Sequence, residues 1–367
     1  MTEYTVADVV RALDEAFPFA TQDTWDNSGL LVGSPDMNIK GILLTLDQTK
    51  DAIRQAIDSD CNVVVSHHPL MFRGLKRLTR QTDEQEIIHT AIKNDIALIA
   101  VHTPADKSLQ GTSGSIARLL DLENVNILAP EKDCLSKIVT YVPTAHTKQV
   151  FNAMTEAGAG HIGNYSHTSW QSSGTGSYMP LNGANPTCGT IGSLHHEIED
   201  KLESIVPNRL VYQVVKKIIA VHPYEEPAID IIPLSNTFST QGYGVVGNLE
   251  TAIPTNEFLR LVKEKLGVEV IRHTAFDKPI QRIAICTGSG SEFVDIAIAN
   301  GADAYITADM KYHQMADATG KILVVDIGHF ESEIISKNVF ENVLRRKLIN
   351  FARYVTHTES NPIKYFY

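Results

Sequence analysis

Residues 41–69, GILLTLDQTKDAIRQAIDSDCNVVVSHHP, run from one short apolar segment through a helical stretch into a second apolar segment. GILLTLD (41–47) and NVVVSHHP (62–69) are aliphatic and β-branched without polar alternation, the pattern of strands buried on both faces. QTKDAIRQAIDSD between them sets its apolar residues at helical spacing. The same sequence of elements continues through DEQEIIHTAIKND into IALIAVHTP (96–104). Strand–helix–strand alternation of this kind predicts a mainly parallel sheet.

The pattern returns near the C-terminus, where RIAICTGSG (282–290), DAYITAD (303–309) and KILVVDIGH (321–329) alternate with the helical SEFVDIAIANG and KYHQMADATG. Two related α/β halves are therefore expected, and their common order suggests duplication. The stretch between them has another texture. KIVTYVP and RLVYQVVKKIIAVHPY read as strand-rich, HTKQVFNAMTEAG as a helix, and residues 160–192 are crowded with Gly, Ser, Asn and Pro, which suggests tight loops joining short strands. This predicts a first half over 1–133, an inserted α+β domain of ferredoxin-like type over 134–235 and a second half over 236–367, with hinges at 127–134 and 231–240.

The 367 residues are long enough for more than one core, and 43% are hydrophobic. Lys plus Arg number 32 against 43 for Asp plus Glu, a formal charge of −11 that opposes sequence-blind binding to phosphate backbones or anionic lipid. Cys61, Cys134, Cys188 and Cys286 form no Cys-x-x-Cys pair, so neither a thiolate zinc site nor a disulfide framework is indicated. The N-terminus, MTEYTVADVVRALDEAF, has helical spacing rather than the layout of a signal peptide, and no run reaches the ~18 apolar residues of a membrane span. A cytoplasmic protein is the expectation.

The polar residues that end these strand runs carry the chemistry: SHHP, HTPAD, TGSG, TAD and DIGH all fall at what would be carboxyl ends of parallel strands, where ligand sites of open α/β folds form. His67 and His68 are adjacent, so they can face one site only if the strand ends before them, a condition that Pro69 favours. Paired imidazoles suit borderline divalent metals such as zinc, iron, nickel or manganese. His102 and Asp106, like His329 and Glu333, stand four residues apart, the spacing that puts both side chains on one helical face. Taken alone, Glu333 also reads as an acid at a helix N-terminus. TGSGSEF (287–293) could offer backbone amides to a phosphate or be an ordinary turn, and Asp26-Asn27 reads as an Asp-Asn turn. Asp309, Lys311, Tyr312 and His313 lie beside another strand end, without assigned roles. His195, His196 and Glu197 read as the solvated face of a helix.

WDNSGLLVG (25–33), SHHPLMF, VHTPAD and DIGHFESE resemble, in order, the signature blocks of the NIF3 family, also called the GTP cyclohydrolase I type 2 family, in which Asp26-Asn27 would belong to an early block that faces the active site. GNYSHTSW, GTGSYMP and VHPYEEPA resemble the PII-like or CutA-like insert of its longer members. The resemblance implies a NIF3-like fold with two divalent metal ions per subunit: His67 and His68 divided between them, Asp106 on one, His329 on the other and Glu333 bridging. His102 would orient a ligand, move a proton or be structural. The implied activity is metal-dependent hydrolysis, with activated water attacking C8 of the guanine ring of GTP; a metal-dependent phosphoesterase or a non-catalytic metal-binding scaffold with a ligand-sensing insert are the alternatives. The implied assembly is a hexamer of paired trimers, with the aromatic tail NFARYVTHTESNPIKYFY as a contact surface. A small-molecule substrate, possibly a nucleotide, would enter it.

Overall fold

The computed structural model describes residues 4–366, so Tyr367 of the aromatic tail lies outside the described residues. One compact unit runs to Ala129 and resumes at Thr240; the other spans Pro130–Ser239. The N-terminal part of the first unit contains helix α1 (Val6–Ala16), strands β1 (Gly29–Val32) and β2 (Ile42–Thr45), helix α2 (Lys50–Asp58), β3 (Val63–Ser66), α3 (Asp83–Lys93), β4 (Ala97–Ala100), the short α4 (Thr103–Asp106), α5 (Thr112–Leu119) and β5 (Glu123–Glu131). Thr49 and Thr82 start α2 and α3 by accepting the amides of Ala52 and Gln85. β2, β3 and β4 are parallel, with β1 antiparallel beyond β4. Their alternation buries both faces. Leu43, Val64 and Leu98 meet Ala52, Ile53 and Ala56 of α2 on one side, while Ile42, Val63, Val65 and Ile99 meet Val9 and Leu13 of α1 on the other.

The second unit contains β6 (Leu135–Pro143), α6 (Thr147–Glu156), β7 (Trp170–Tyr178), β8 (His195–Pro207), α7 (Val211–Val221) and β9 (Ile229–Leu234). Its four strands lie in the order β7-β8-β6-β9, each pair antiparallel, and the chain order is β-α-β-β-α-β. Three local expectations are corrected here. His195, His196 and Glu197 stand on strand β8, not on a helix, and β7 pairs along its whole length with β8, giving long strands where short ones were expected. RLVYQVVKKIIAVHPY is largely helix α7, because Val214 and Ile218 recur at helical spacing and bury against Val150, Met154 and Leu202; packing overrides the β-branched preference. The two stretches read as hinges, 127–134 and 231–240, contain the boundaries of the two units, at 129/130 and 239/240, and their backbone is mostly extended.

The first unit continues with β10 (Phe238–Ile253), α8 (Thr255–Leu266), β11 (Arg272–His273), β12 (Ile280–Ile285), α9 (Val294–Ala299), β13 (Ala304–Thr307), α10 (Tyr312–Ala318), β14 (Leu323–Asp326), α11 (His329–Glu333), α12 (Ser336–Lys347) and β15 (Tyr354–Thr356). β12, β13 and β14 are parallel and β11 is antiparallel beyond β14. The orders β1-β4-β3-β2 and β11-β14-β13-β12 therefore describe the same topology twice.

The halves exchange elements. Ile116 and Ala117 of α5 join the core of the second sheet with Ile283, Ile306 and Val325, while Val339, Phe340 and Leu344 of α12 join the core of the first with Ile42 and Val65. β5 extends the second sheet beside β10, and β15 extends the first in parallel beside β2. Phe351 and Tyr354 of the aromatic tail pack against the first core, whereas Phe366 is fully exposed. No helix among the described residues is long and apolar enough to cross a membrane.

Phe340 is fully buried, lies edge-on to Phe17 at 6.0 Å and stacks behind the ring of His67 at 6.3 Å. Phe340→Ala should cost about 3–5 kcal/mol, measured by denaturant unfolding. Because α12 joins the halves, they should still unfold in one transition; separate transitions would show that the exchange does not couple them.

Candidate metal centre

β3 ends at Ser66, and Pro69 follows the two histidines, so His67 and His68 leave the ladder and point toward one place. The Nδ1–H of His67 donates to the carbonyl of Val101 at 2.9 Å, which leaves Nε2 as the inward atom. This atom lies 3.5 Å from Asp106 Oδ1 and 3.7 Å from Glu333 Oε1. His67 is 0% exposed, and its Nε2 has no hydrogen-bond partner. A buried ring nitrogen facing two carboxylates needs a proton or a cation between them.

His68 presents Nε2 to Glu333 Oε2 at 2.9 Å and anchors Nδ1 on Asp47 at 2.8 Å. His329, at the start of α11, repeats this arrangement with Nε2 2.9 Å from Glu333 Oε2 and Nδ1 2.7 Å from Asp309. Glu333 is 3% exposed and one helical turn beyond His329, as the spacing predicts. His67, Asp106 and Glu333 form one group of potential metal ligands, and His68, His329 and Glu333 another, with all ligand atoms in each group within 4.8 Å of one another. Glu333 belongs to both. Three imidazoles and two carboxylates are a donor set suited to borderline divalent cations.

His102 completes a third group with His67 and His68. Its Nδ1 is held at 2.9 Å by Asp26, which also accepts from Thr103 N–H, Thr103 Oγ1, Ser28 Oγ and the amide of Asn27. Asp26 is thus more than a turn residue. The sequence does not mark Asp47 and Asp309 as orienting groups, although Asp47 follows β2 in the sheet of His67 and His68 and Asp309 follows β13 in the sheet that precedes His329. Asp309 adopts φ +55°, in the left-handed region, to reach His329. The TGSG turn serves the carboxylate instead of an open phosphate site: at Gly288, φ +64°, a Cβ would stand 2.1 Å from Glu333 Oε1. Lys311, Tyr312 and His313 begin α10 and belong to none of these groups. A cavity of about 820 Å³ lies in the inserted unit among Tyr178, Tyr224 and Glu199, where Tyr224 already satisfies Glu199 at 2.7 Å.

The electrostatics follow from this crowding. Burial works against a charge on His68, but hydrogen bonds to Asp47 and Glu333 outweigh it and push its pKa up to about 10. Glu333, assisted by Asp309, raises that of His329 to about 9. Burial would raise the pKa of Glu333, yet three imidazoles hold it well below the usual carboxylate range. Burial raises that of Asp106, while for Asp26 the hydrogen bonds from His102 and Thr103 overcome burial and lower it.

A family model described as Duf34/NIF3 (NGG1p interacting factor 3) matches residues 4–362. The chain belongs to the Duf34/NIF3 family. It is 34% identical over 363 residues to the GTP cyclohydrolase 1 type 2 homolog of Bacillus subtilis, covering 97% of each chain. It is 35% identical over 358 residues to the protein of that name from Halalkalibacterium halodurans, covering 97% of this chain and 96% of the other. Among solved structures it resembles the Bacillus cereus protein related to NIF3 at 32% identity and a TM-score of 0.84, and Staphylococcus aureus protein SA1388 at 28% and 0.78, both over 100% of each chain.

At pH 7 the raised values put protons on His68 and His329, and a cation taking their Nε2 atoms must displace them. Zinc binding should therefore release protons and weaken as pH falls from 8 to 6, which calorimetry in buffers of different ionisation enthalpy would measure. In chelator-treated protein the same two groups contribute stability that is fully present below about pH 6.5 and is lost as pH rises through 9 to 10. Zinc uptake without proton release would contradict this assignment.

Proposed function

We propose that the chain is a dinuclear metal-dependent hydrolase, with His67, Asp106 and Glu333 holding one divalent ion, His68, His329 and Glu333 the other, and Glu333 bridging. The observation that carries this reading is the unpartnered Nε2 of His67, buried between two carboxylates. The name of the relatives, GTP cyclohydrolase 1 type 2 homolog, favours GTP as substrate; the reaction proposed is hydrolytic opening of the guanine ring at C8, in which two waters break both C8–N bonds and release formate. Zinc, iron, manganese or nickel suits the donors.

Bound divalent ions would supply Lewis acidity and lower the pKa of a coordinated water. The protein's part is to fix the surroundings. Asp47, Asp309 and the Val101 carbonyl occupy the outer nitrogen of each ligating imidazole, setting tautomer and ring orientation. His102, oriented by buried Asp26, has its free nitrogen toward the cluster and can carry a proton to a ring nitrogen as its bond to C8 breaks.

Metal-loaded protein should release formate from GTP, and chelation should abolish the reaction. Glu333→Ala should lose most bound metal by elemental analysis. His102→Asn should keep its metal while activity falls by about 10²–10⁴-fold, the usual range for a general acid or base. Fully loaded protein that releases no formate, or that cleaves only phosphoesters, would overturn the cyclohydrolase reading.

The proposed assembly is a hexamer of paired trimers in the cytoplasm. Light scattering should give about six times the 40.4 kDa chain mass; a monomer at micromolar concentration would refute it.

A further inference from the structure

Two large aromatic rings stand in solvent beside the metal centre: Trp25 is 56% exposed and Phe72 48%. Their centroids are 6.2 Å apart with planes tilted by 32°, and both meet His102 edge-on, at 5.6 and 5.8 Å. His102 in turn lies edge-on to His67 and His68, so the aromatic pair is one imidazole removed from the proposed ligands. The backbone beneath the rings is fixed. Asp26 next to Trp25 is anchored by His102 and Thr103, and the Asn27 side-chain amide donates to the carbonyl of Met71, next to Phe72, at 2.7 Å. Exposed apolar rings on a pre-organised support mark a binding surface rather than a core.

The loop that carries Phe72 continues through Arg73, Lys76 and Arg77, all exposed. Nearby, Lys50 is paired with Asp83 and Arg80 with Glu86, but these three make no ion pair among the described residues. Three unneutralised cations on a chain of formal charge −11 favour an anionic ligand at this loop.

The geometry points to Trp25 and Phe72 as a stacking surface for the planar ring of a phosphorylated heteroaromatic substrate, with Arg73, Lys76 and Arg77 taking its phosphate. This rests on the hydrolase reading and adds the residues that hold the ring. Stacking on an aromatic surface is tolerant of base identity, so selectivity between purines would come from elsewhere in the site.

The test is calorimetric binding to zinc-loaded, full-length protein, with guanosine monophosphate, guanosine and inorganic phosphate as weakly chelating probes. Trp25→Ala and Phe72→Ala should each weaken guanosine monophosphate and guanosine by about 10- to 100-fold and leave phosphate binding and metal content unchanged. The triple variant Arg73→Gln, Lys76→Gln, Arg77→Gln should weaken the monophosphate and phosphate, spare guanosine and flatten the salt dependence. Monophosphate affinity equal to that of phosphate and indifferent to Trp25→Ala would overturn the stacking surface. A single-stranded oligonucleotide bound far more tightly than the monophosphate would overturn the assignment to a small substrate. Binding through Trp25 without formate release would sink the cyclohydrolase activity but leave this inference standing; formate release with an affinity unmoved by Trp25→Ala would do the reverse.

Discussion

A carboxylate buried as deeply as Glu333 cannot hold its charge without partners, because removal from water costs several kcal/mol that only close opposite charge offsets. Its partners are His67, His68 and His329, and they come from distant points of the chain. β3 must end where α11 begins, and nothing local to either segment brings them together. Everything else in the first unit serves that meeting.

The exchange between the halves accomplishes it. After β4 the chain passes through His102 and Asp106 on α4 and then sends α5 into the opposite core; after β14 it passes through His329 and Glu333 on α11 and sends α12 into the opposite core. In each half a histidine and, four residues on, an acid occupy the short helix between the last parallel strand and the exchanged one. The two carboxylates of the centre are therefore equivalent positions in two copies of one motif, and both sit where the chain crosses over. Phe340 shows how packing and chemistry are joined, since the ring that fills the first core also backs His67.

The strands and their parallel order were legible because they depend on short-range pattern, apolar runs that bury on both faces; the polar residues ending those runs marked the candidate histidines and acids, while their division between two ions rested on the family resemblance. The exchange was not legible, since the apolar stripe of α5 or α12 does not reveal which sheet it will cover. Helix α7 was misread for a related reason. Its valines and isoleucines favour strands in isolation, and only the buried spacing of Val214 and Ile218 decides otherwise. Asp47 and Asp309 act through the far nitrogen of an imidazole, a relation that leaves no spacing signal in the chain.

The carboxylates gathered around the imidazoles have an effect on the order of events. Asp26, Asp47, Asp106, Asp309 and Glu333 together can carry five negative charges within a few side-chain lengths of one another. Without metal, the protons on His68 and His329 cancel two of them; two divalent ions displacing those protons would cancel four. A phosphorylated molecule approaching the centre before metal would meet the more repulsive field, and one approaching afterwards a nearly neutral one. On the proposed metal-dependent reading, the charge distribution thus favours entry of metal before any anionic ligand.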